Sequence, residues 1–126
     1  MKILITGGTG FQGSNLSKSL LDDGHEVVIL NLHSEKNELN VERFGLHNAY
    51  KMWGSINDIR TVKDAVAGVD LIVHTAAKVH VDDSIEYPTD YFETNVMGTN
   101  NVLEAARRFN VPVMHISTCE VYGFQD

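Results

Sequence analysis

The chain has 126 residues, enough for one domain with a real core and few for a two-domain enzyme, and is 43% hydrophobic and 21% charged. Ten Lys plus Arg against 17 Asp plus Glu leave a net charge of −7, which argues against nucleic acid or an anionic membrane as partner but not against a small anionic ligand. One cysteine, Cys119, excludes an internal disulfide, and no apolar stretch reaches signal-peptide or membrane length, so the chain reads as soluble and cytoplasmic.

Lys2 to Thr6 reads as a short strand whose Ile3, Leu4 and Ile5 make both faces apolar, as a parallel strand between two helix layers requires. Phe11 to Asp23 reads as a helix with Leu16, Leu20 and Leu21 on one stripe and Gly24 as its stop. His25 to Leu30 is a second buried strand. Residues 32 to 48 are polar and mixed and read as loop, with one helical turn around Glu38 to Phe44. Tyr50 to Trp53 gives a short third strand, Asp58 to Ala67 a short helix, and Asp70 to His74 a fourth strand. From Pro88 the apolar positions Phe92, Val96, Val102, Leu103, Ala106 and Phe109 recur at helical spacing, and Asn110 with Pro112 ends the element. Val111 to Ser117 is the last strand. Strand and helix alternate, which predicts a parallel sheet joined by right-handed crossovers.

The first strand runs into ITGGTGFQGSNL, four glycines within residues 5 to 16. Glycine loses more conformational freedom on folding than any other residue, so this density needs a local reason. Gly8, Gly10 and Gly13 satisfy G-x-G-x-x-G between a strand and a helix, and Gly7, Gly10 and Gly13 satisfy the related G-x-x-G-x-x-G. In either spacing the first glycine allows the tight turn, Gly10 lets the chain approach a pyrophosphate, and Gly13 lets the helix pack on its strand. Phosphates would then sit on free N–H groups at the positive end of the helix. The strand–turn–helix context is the one that this motif demands.

TGGTGFQG, VDLIVHTAA, HVDDSIEYP, YFETNVMGTNNVLEAA with its N-x-x-G-T at Asn95, Gly98 and Thr99, and ISTCEVYG occur in this order over essentially the whole chain. Together they resemble the extended short-chain dehydrogenase/reductase family, specifically its NAD-dependent sugar-nucleotide epimerases and dehydratases. The resemblance implies a Rossmann-like doubly wound α/β fold with strand order 3-2-1-4-5. It implies that residues 1–126 are an NAD(P)-binding domain, with NAD as cofactor and NADP as the alternative. Gly7, Gly10, Phe11, Gln12 and Gly13 would line the phosphates, Asn31 the adenosine ribose, and Ser55 and Ile56 the adenine. Ala76 and Ala77 would pass under the cofactor, with Asn95 and Ser117 further along it. HVDDSIEYP matches a loop near the sugar of a sugar-nucleotide substrate. Thr118, Cys119 and Glu120 match the family's catalytic segment after the fifth strand.

Three departures qualify what the resemblance carries over. The 4,6-dehydratases carry Thr-Asp-Glu or Thr-Ser-Glu where this chain has Thr118-Cys119-Glu120; epimerases carry serines, and certain decarboxylases Thr-Ser-Glu. By resemblance Thr118 meets the 4-hydroxyl of the sugar and Glu120 takes the proton at C5. Cys119 stands where an acid would expel the 6-hydroxyl, and a thiol is a poorer proton donor than a carboxylic acid. A buried small hydrophobe at a strand end is the other reading of Cys119, and a solvated carboxylate the other reading of Glu120. Asn31 replaces the acid that usually accepts from the ribose, so adenosine recognition is softened and a 2′-phosphate is less repelled. Lys36 could reach such a phosphate. Ser55 likewise replaces an Asp.

The family's Tyr and Lys, four residues apart on a later helix, have no counterpart: four residues after Tyr50, Tyr87, Tyr91 and Tyr122 stand Gly54, Tyr91, Asn95 and Asp126. The expectation is therefore the cofactor half of a longer enzyme, truncated after the fifth strand, without its substrate domain and inactive alone. A stand-alone dinucleotide-binding or sensing module is the alternative. The fifth strand would leave Val111, Val113, Met114 and Ile116 under-covered and favour a homo-oligomer through that edge. His74, His80 and His115 near strand ends and the Asp82-Asp83 pair lack metal-ligand spacing, so no metal is expected.

Overall fold

The computed structural model describes residues 1–124. Five parallel strands, β1 (Lys2–Thr6), β2 (Glu26–Asn31), β3 (Tyr50–Trp53), β4 (Leu71–His74) and β5 (Val113–His115), form one sheet in the order β3-β2-β1-β4-β5. This is the expected Rossmann-like order. Alternate residues of a strand point to opposite faces, and the two faces form two cores. Leu4, Val28, Leu30 and Ile72 pack with α3 (Ile59–Val66) and α6 (Thr99–Phe109) through Val62, Val66, Val102 and Ala105. Ile3, Ile5, Val27, Ile29 and Val73 pack with α1 (Phe11–Asp22) through Leu16, Leu20 and Leu21, and with Val41 of α2 (Glu35–Arg43), Leu46 and Ala49. Both faces of β1 and β2 are thus buried, which is why neither strand shows a polar alternation. No helix among the described residues is long and apolar enough to cross a membrane.

Gly24 stops α1 at φ 83°, with its N–H on Leu21 O and the His25 N–H on Leu20 O. Asn110 ends α6 the same way, in the left-handed region at φ 55°. Residues 32–48 contain more helix than their composition suggests. Ser34 Oγ accepts the Asn37 N–H at 3.1 Å, Glu35 and Glu38 sit in the first turn, and Arg43 in the last. These caps fit a nine-residue α2, although only Val41 of it is buried. The loop HVDDSIEYP also contains a short helix, α4 (Val81–Glu86).

The helix expected from Pro88 is three consecutive segments: α5 (Pro88–Phe92), a π-helical turn (Glu93–Gly98) and α6. At its junction with α6 the Thr99 N–H goes to Val96 O, and the Thr99 hydroxyl donates to the Asn95 carbonyl at 2.7 Å. β5 is shorter than Val111–Ser117 and pairs with β4 alone among the described residues. Val111 and Val113 are half-buried against the α3–α6 core, and Met114 and Ile116 are 55% and 39% exposed.

Candidate functional site

In a parallel sheet with this order, β1 and β4 are neighbours whose connections leave towards opposite faces, so a crevice opens beyond their carboxyl ends. The glycine turn lies there. Gly7 has φ +72°, and a Cβ on it would meet the Ala76 backbone at 2.9 Å. The Gly7 carbonyl accepts the Gly10 N–H at 2.9 Å. A Cβ on Gly13 would lie 2.1 Å from that oxygen, and one on Gly10 3.2 Å from it with nothing else within 4 Å. That carbonyl excludes a side chain at Gly13 and crowds one at Gly10, the two positions that both spacings share. Gly7, with its positive φ and the Ala76 backbone in its Cβ position, favours the Gly7–Gly10–Gly13 spacing. Gly8 answers to a different contact, the Ile29 side chain at 2.8 Å. Gly13 lets α1 close on the turn itself, not on its strand as the motif suggested.

The first N–H groups of a helix have no intrahelical partner, and no side chain caps α1. Phe11 and Gln12, its first residues, are exposed, Phe11 at 86%. Open space at Gly10 beside uncapped N–H groups is the arrangement that a pyrophosphate requires.

Asn31 ends β2 half-buried, and its Oδ1 accepts the Thr9 N–H at 3.3 Å. Asn40 of α2 donates to the Thr9 carbonyl at 2.8 Å. The two asparagines hold both main-chain groups of Thr9, which is fully buried with a hydroxyl that has no partner among the described residues. Asn40 falls in the helical turn expected around Glu38 to Phe44, but no spacing in that turn pointed it at Thr9. Ser55 Oγ accepts the Asn57 N–H at 3.1 Å, shaping the loop after β3. Ile56 was expected to offer an apolar contact. Its side chain is 6% exposed and sits in the core, where a Cβ on Gly98 would meet it at 2.6 Å. Asn101 donates to the Ile56 carbonyl at 2.9 Å and fixes this loop. It lies three residues after Gly98 on the helix face that carries Ala105, a polar residue on an apolar stripe, which is the signal that could have revealed it.

Ala76 and Ala77 follow β4, Ala76 against Gly7. The Asn95 amide is engaged with the next residue: its Oδ1 accepts the Lys78 N–H at 2.8 Å and its Nδ2 donates to the Lys78 carbonyl at 2.9 Å. Asn95 is thus placed to hold this segment. Beside it a cleft of about 310 Å³ is walled by Ala77 to His80 and by Asp83, Tyr87, Asp90 and Tyr91. Lys78 Nζ lies 3.4 Å from Asp90 and 5.6 Å from the Tyr91 ring centroid. His74 is buried between two threonines and stacked on His115 at 5.2 Å. Burial, then the charge of His115, pushes its pKa down to about 4.

Ser117, Thr118, Cys119 and Glu120 follow β5 at the same sheet edge and are all exposed. Exposure of the free Cys119 thiol overturns its reading as a buried hydrophobe. Thr118 Oγ1 accepts the Glu120 N–H at 3.3 Å and opens a 3-10 turn, Cys119–Tyr122. Its own O–H keeps a proton to donate. Asp126, which stood in the Tyr–Lys comparison, lies outside the described residues.

Residues 3–126 match the model of the NAD dependent epimerase/dehydratase family. The chain belongs to that family. It is 43% identical over 132 residues to a dTDP-glucose 4,6-dehydratase of Streptomyces niveus, covering 98% of this chain and 39% of that protein. A UDP-glucose-4-epimerase from Stenotrophomonas maltophila, crystallised with NAD and a formylated UDP-arabinopyranose, superposes with a TM-score of 0.90 at 30% identity, covering all of this chain and 39% of the other. A double mutant of the Streptomyces venezuelae dTDP-glucose 4,6-dehydratase with bound NAD gives 0.89 at 36% identity, covering all of this chain and 42% of the other. The chain spans about two fifths of the length of these epimerase/dehydratase relatives.

Proposed function

We propose that the chain is the dinucleotide-binding part of an enzyme that converts a sugar nucleotide through transient oxidation at sugar C4. The observation that carries this reading is the turn in which the Gly7 carbonyl fills the Cβ position of Gly13 while Gly10 stays open beside the uncapped start of α1. Bound NAD would supply a hydride acceptor and, later, donor. Gly7 to Gly13 would hold its pyrophosphate, Asn31 its adenosine ribose, and Ala76 and Ala77 would form the floor beneath it. Thr118 would donate its free O–H to a sugar hydroxyl, and the exposed Glu120 carboxylate would take a proton from carbon. Cys119 is matched in size to serine, so the comparison with the Thr-Ser-Glu enzymes is the nearer one.

In this reading the 126 residues bind NAD but do not turn over, because no Tyr and Lys stand four residues apart in them. Calorimetric titration with NAD tests the first half: binding by the parent and none by Gly10→Val, with helix content unchanged, is expected. Equal affinities would remove the phosphate cradle from the argument. Incubation with NAD and dTDP-glucose or UDP-glucose tests the second, and any C4 oxidation by these residues alone would refute it.

A further inference from the structure

The end of β4 carries a titratable group that the proposed chemistry does not use. His74 is 1% exposed, and both ring nitrogens meet hydroxyls: Nδ1 lies 2.6 Å from Thr6 Oγ1 and Nε2 lies 2.9 Å from Thr99 Oγ1. The Asn95 end of this arrangement, with a neutral ring, fixes the direction of every bond to His74. The Ala76 N–H can only donate, and it reaches Thr6 Oγ1 at 3.3 Å. The Asn95 carbonyl can only accept, and it takes the Thr99 hydroxyl at 2.7 Å. Thr99, with its hydrogen on that carbonyl, accepts from Nε2–H. Nδ1 is then the bare nitrogen of a neutral ring and accepts from Thr6. Every donor and acceptor along the path is used once, so nothing buried in it is left unpaired.

The path also closes. It leaves the segment after β4 at Ala76 and reaches the Asn95 carbonyl, and the Asn95 side chain grips both main-chain groups of Lys78. We infer that Thr6, His74, Thr99 and Asn95 form a closed ring of hydrogen bonds that positions residues 76–78, making Thr6, His74 and Thr99 positioning residues for the floor of the cofactor site. That the segment is a cofactor floor rests on the function proposed above; the ring itself does not.

Imidazole nitrogen NMR of the parent protein is the first test, expected to show Nε2 protonated and Nδ1 bare; the opposite tautomer would overturn the ring. Thr99→Val removes the hydroxyl and keeps the shape. It is expected to weaken exchange protection of the Ala76 and Lys78 amides and NAD affinity by about tenfold each, the scale of one buried hydrogen bond. Thr99→Ser, which keeps the hydroxyl, is expected to restore both. Unchanged protection in a folded Thr99→Val protein would overturn the proposal, and a Thr99→Val protein that fails to fold leaves the tautomer to decide. A parent that binds no NAD would overturn the cofactor reading alone, with the exchange data still deciding the ring.

Discussion

The carboxyl ends of β1 and β5 lie along the same sheet edge, yet they are built by opposite means. After β1, Gly7, Gly8 and Gly13 are pressed against a backbone or an aliphatic side chain, and Thr9 is fully buried between two asparagines. The three residues of β5 lead into an exposed turn that the Thr118 hydroxyl caps. The difference follows from what each end has to present. A phosphate cradle presents main-chain N–H groups, so its precision comes from how the backbone is packed and held. A catalytic segment presents side chains, whose aim depends on whatever packs against them.

Adding a single methyl group to the β1 end is the strongest way to break this contrast. Gly13→Ala would place its Cβ 2.1 Å from the Gly7 carbonyl, a backbone atom that cannot move aside alone. We expect a loss of about 3 kcal/mol of stability, the upper range for overpacking, read as a shift of the urea midpoint. A loss under about 1 kcal/mol would show a turn that yields, and the contrast with β5 would fail.

Acid probes the junction between the two ends, where His74 of β4 stacks on His115 of β5. Unfolded His74 titrates near its ordinary 6.5, and burial holds the folded ring at about 4. Between these values the unfolded chain binds a proton that the folded chain refuses, so stability falls as pH drops below 6.5 and the loss is complete below about 4. The gap corresponds to about 3 kcal/mol at most. Denaturant melts from pH 7 to 4 should show this slope in the parent and a flatter one in His74→Gln. Equal slopes would place the acid sensitivity elsewhere.

The β1 end was legible in the sequence because its design consists of missing side chains, and glycine spacing survives without coordinates. What the glycines touch was not legible: the two spacings differ in Gly7 against Gly8, and only the positive φ of Gly7 and its contact with the Ala76 backbone separate them. Helix α2 showed only as one turn around Glu38 to Phe44, because a helix that buries one residue leaves no apolar period, and its Ser34 cap is followed by Asn37 where a glutamate would have marked a capping box. The single long helix from Pro88 hid its π-helical turn, because one wider turn leaves the apolar spacing almost unchanged. Thr118 to Glu120 were legible only by resemblance. Three exposed residues after a short strand carry no periodicity of their own.

A finer probe of the β1 end is Asn31→Asp. The carboxylate would accept the Thr9 N–H with charge assistance and still offer an oxygen to a ribose hydroxyl, while repelling a 2′-phosphate. The preference for NAD over NADP should rise by about tenfold, about 1.4 kcal/mol, in competitive titration. A parent that already prefers NAD by about a hundredfold would show that selectivity lies in another residue.

The smallest expected effect belongs to the β5 end. Thr118→Ala removes the one side-chain bond that opens the Cys119–Tyr122 turn, an exposed cap at 3.3 Å on a four-residue element. Caps of longer helices contribute about 1 kcal/mol, and a single turn in water has little helix to support, so about 0.5 kcal/mol or less is expected. NAD affinity should not change, because Thr118 takes no part in the cradle. A stability loss comparable with that of Gly13→Ala would mean that the β5 end is as firmly built as the β1 end. The exposed turn would then be a rigid support for Glu120 rather than a segment whose aim is set by what packs on it.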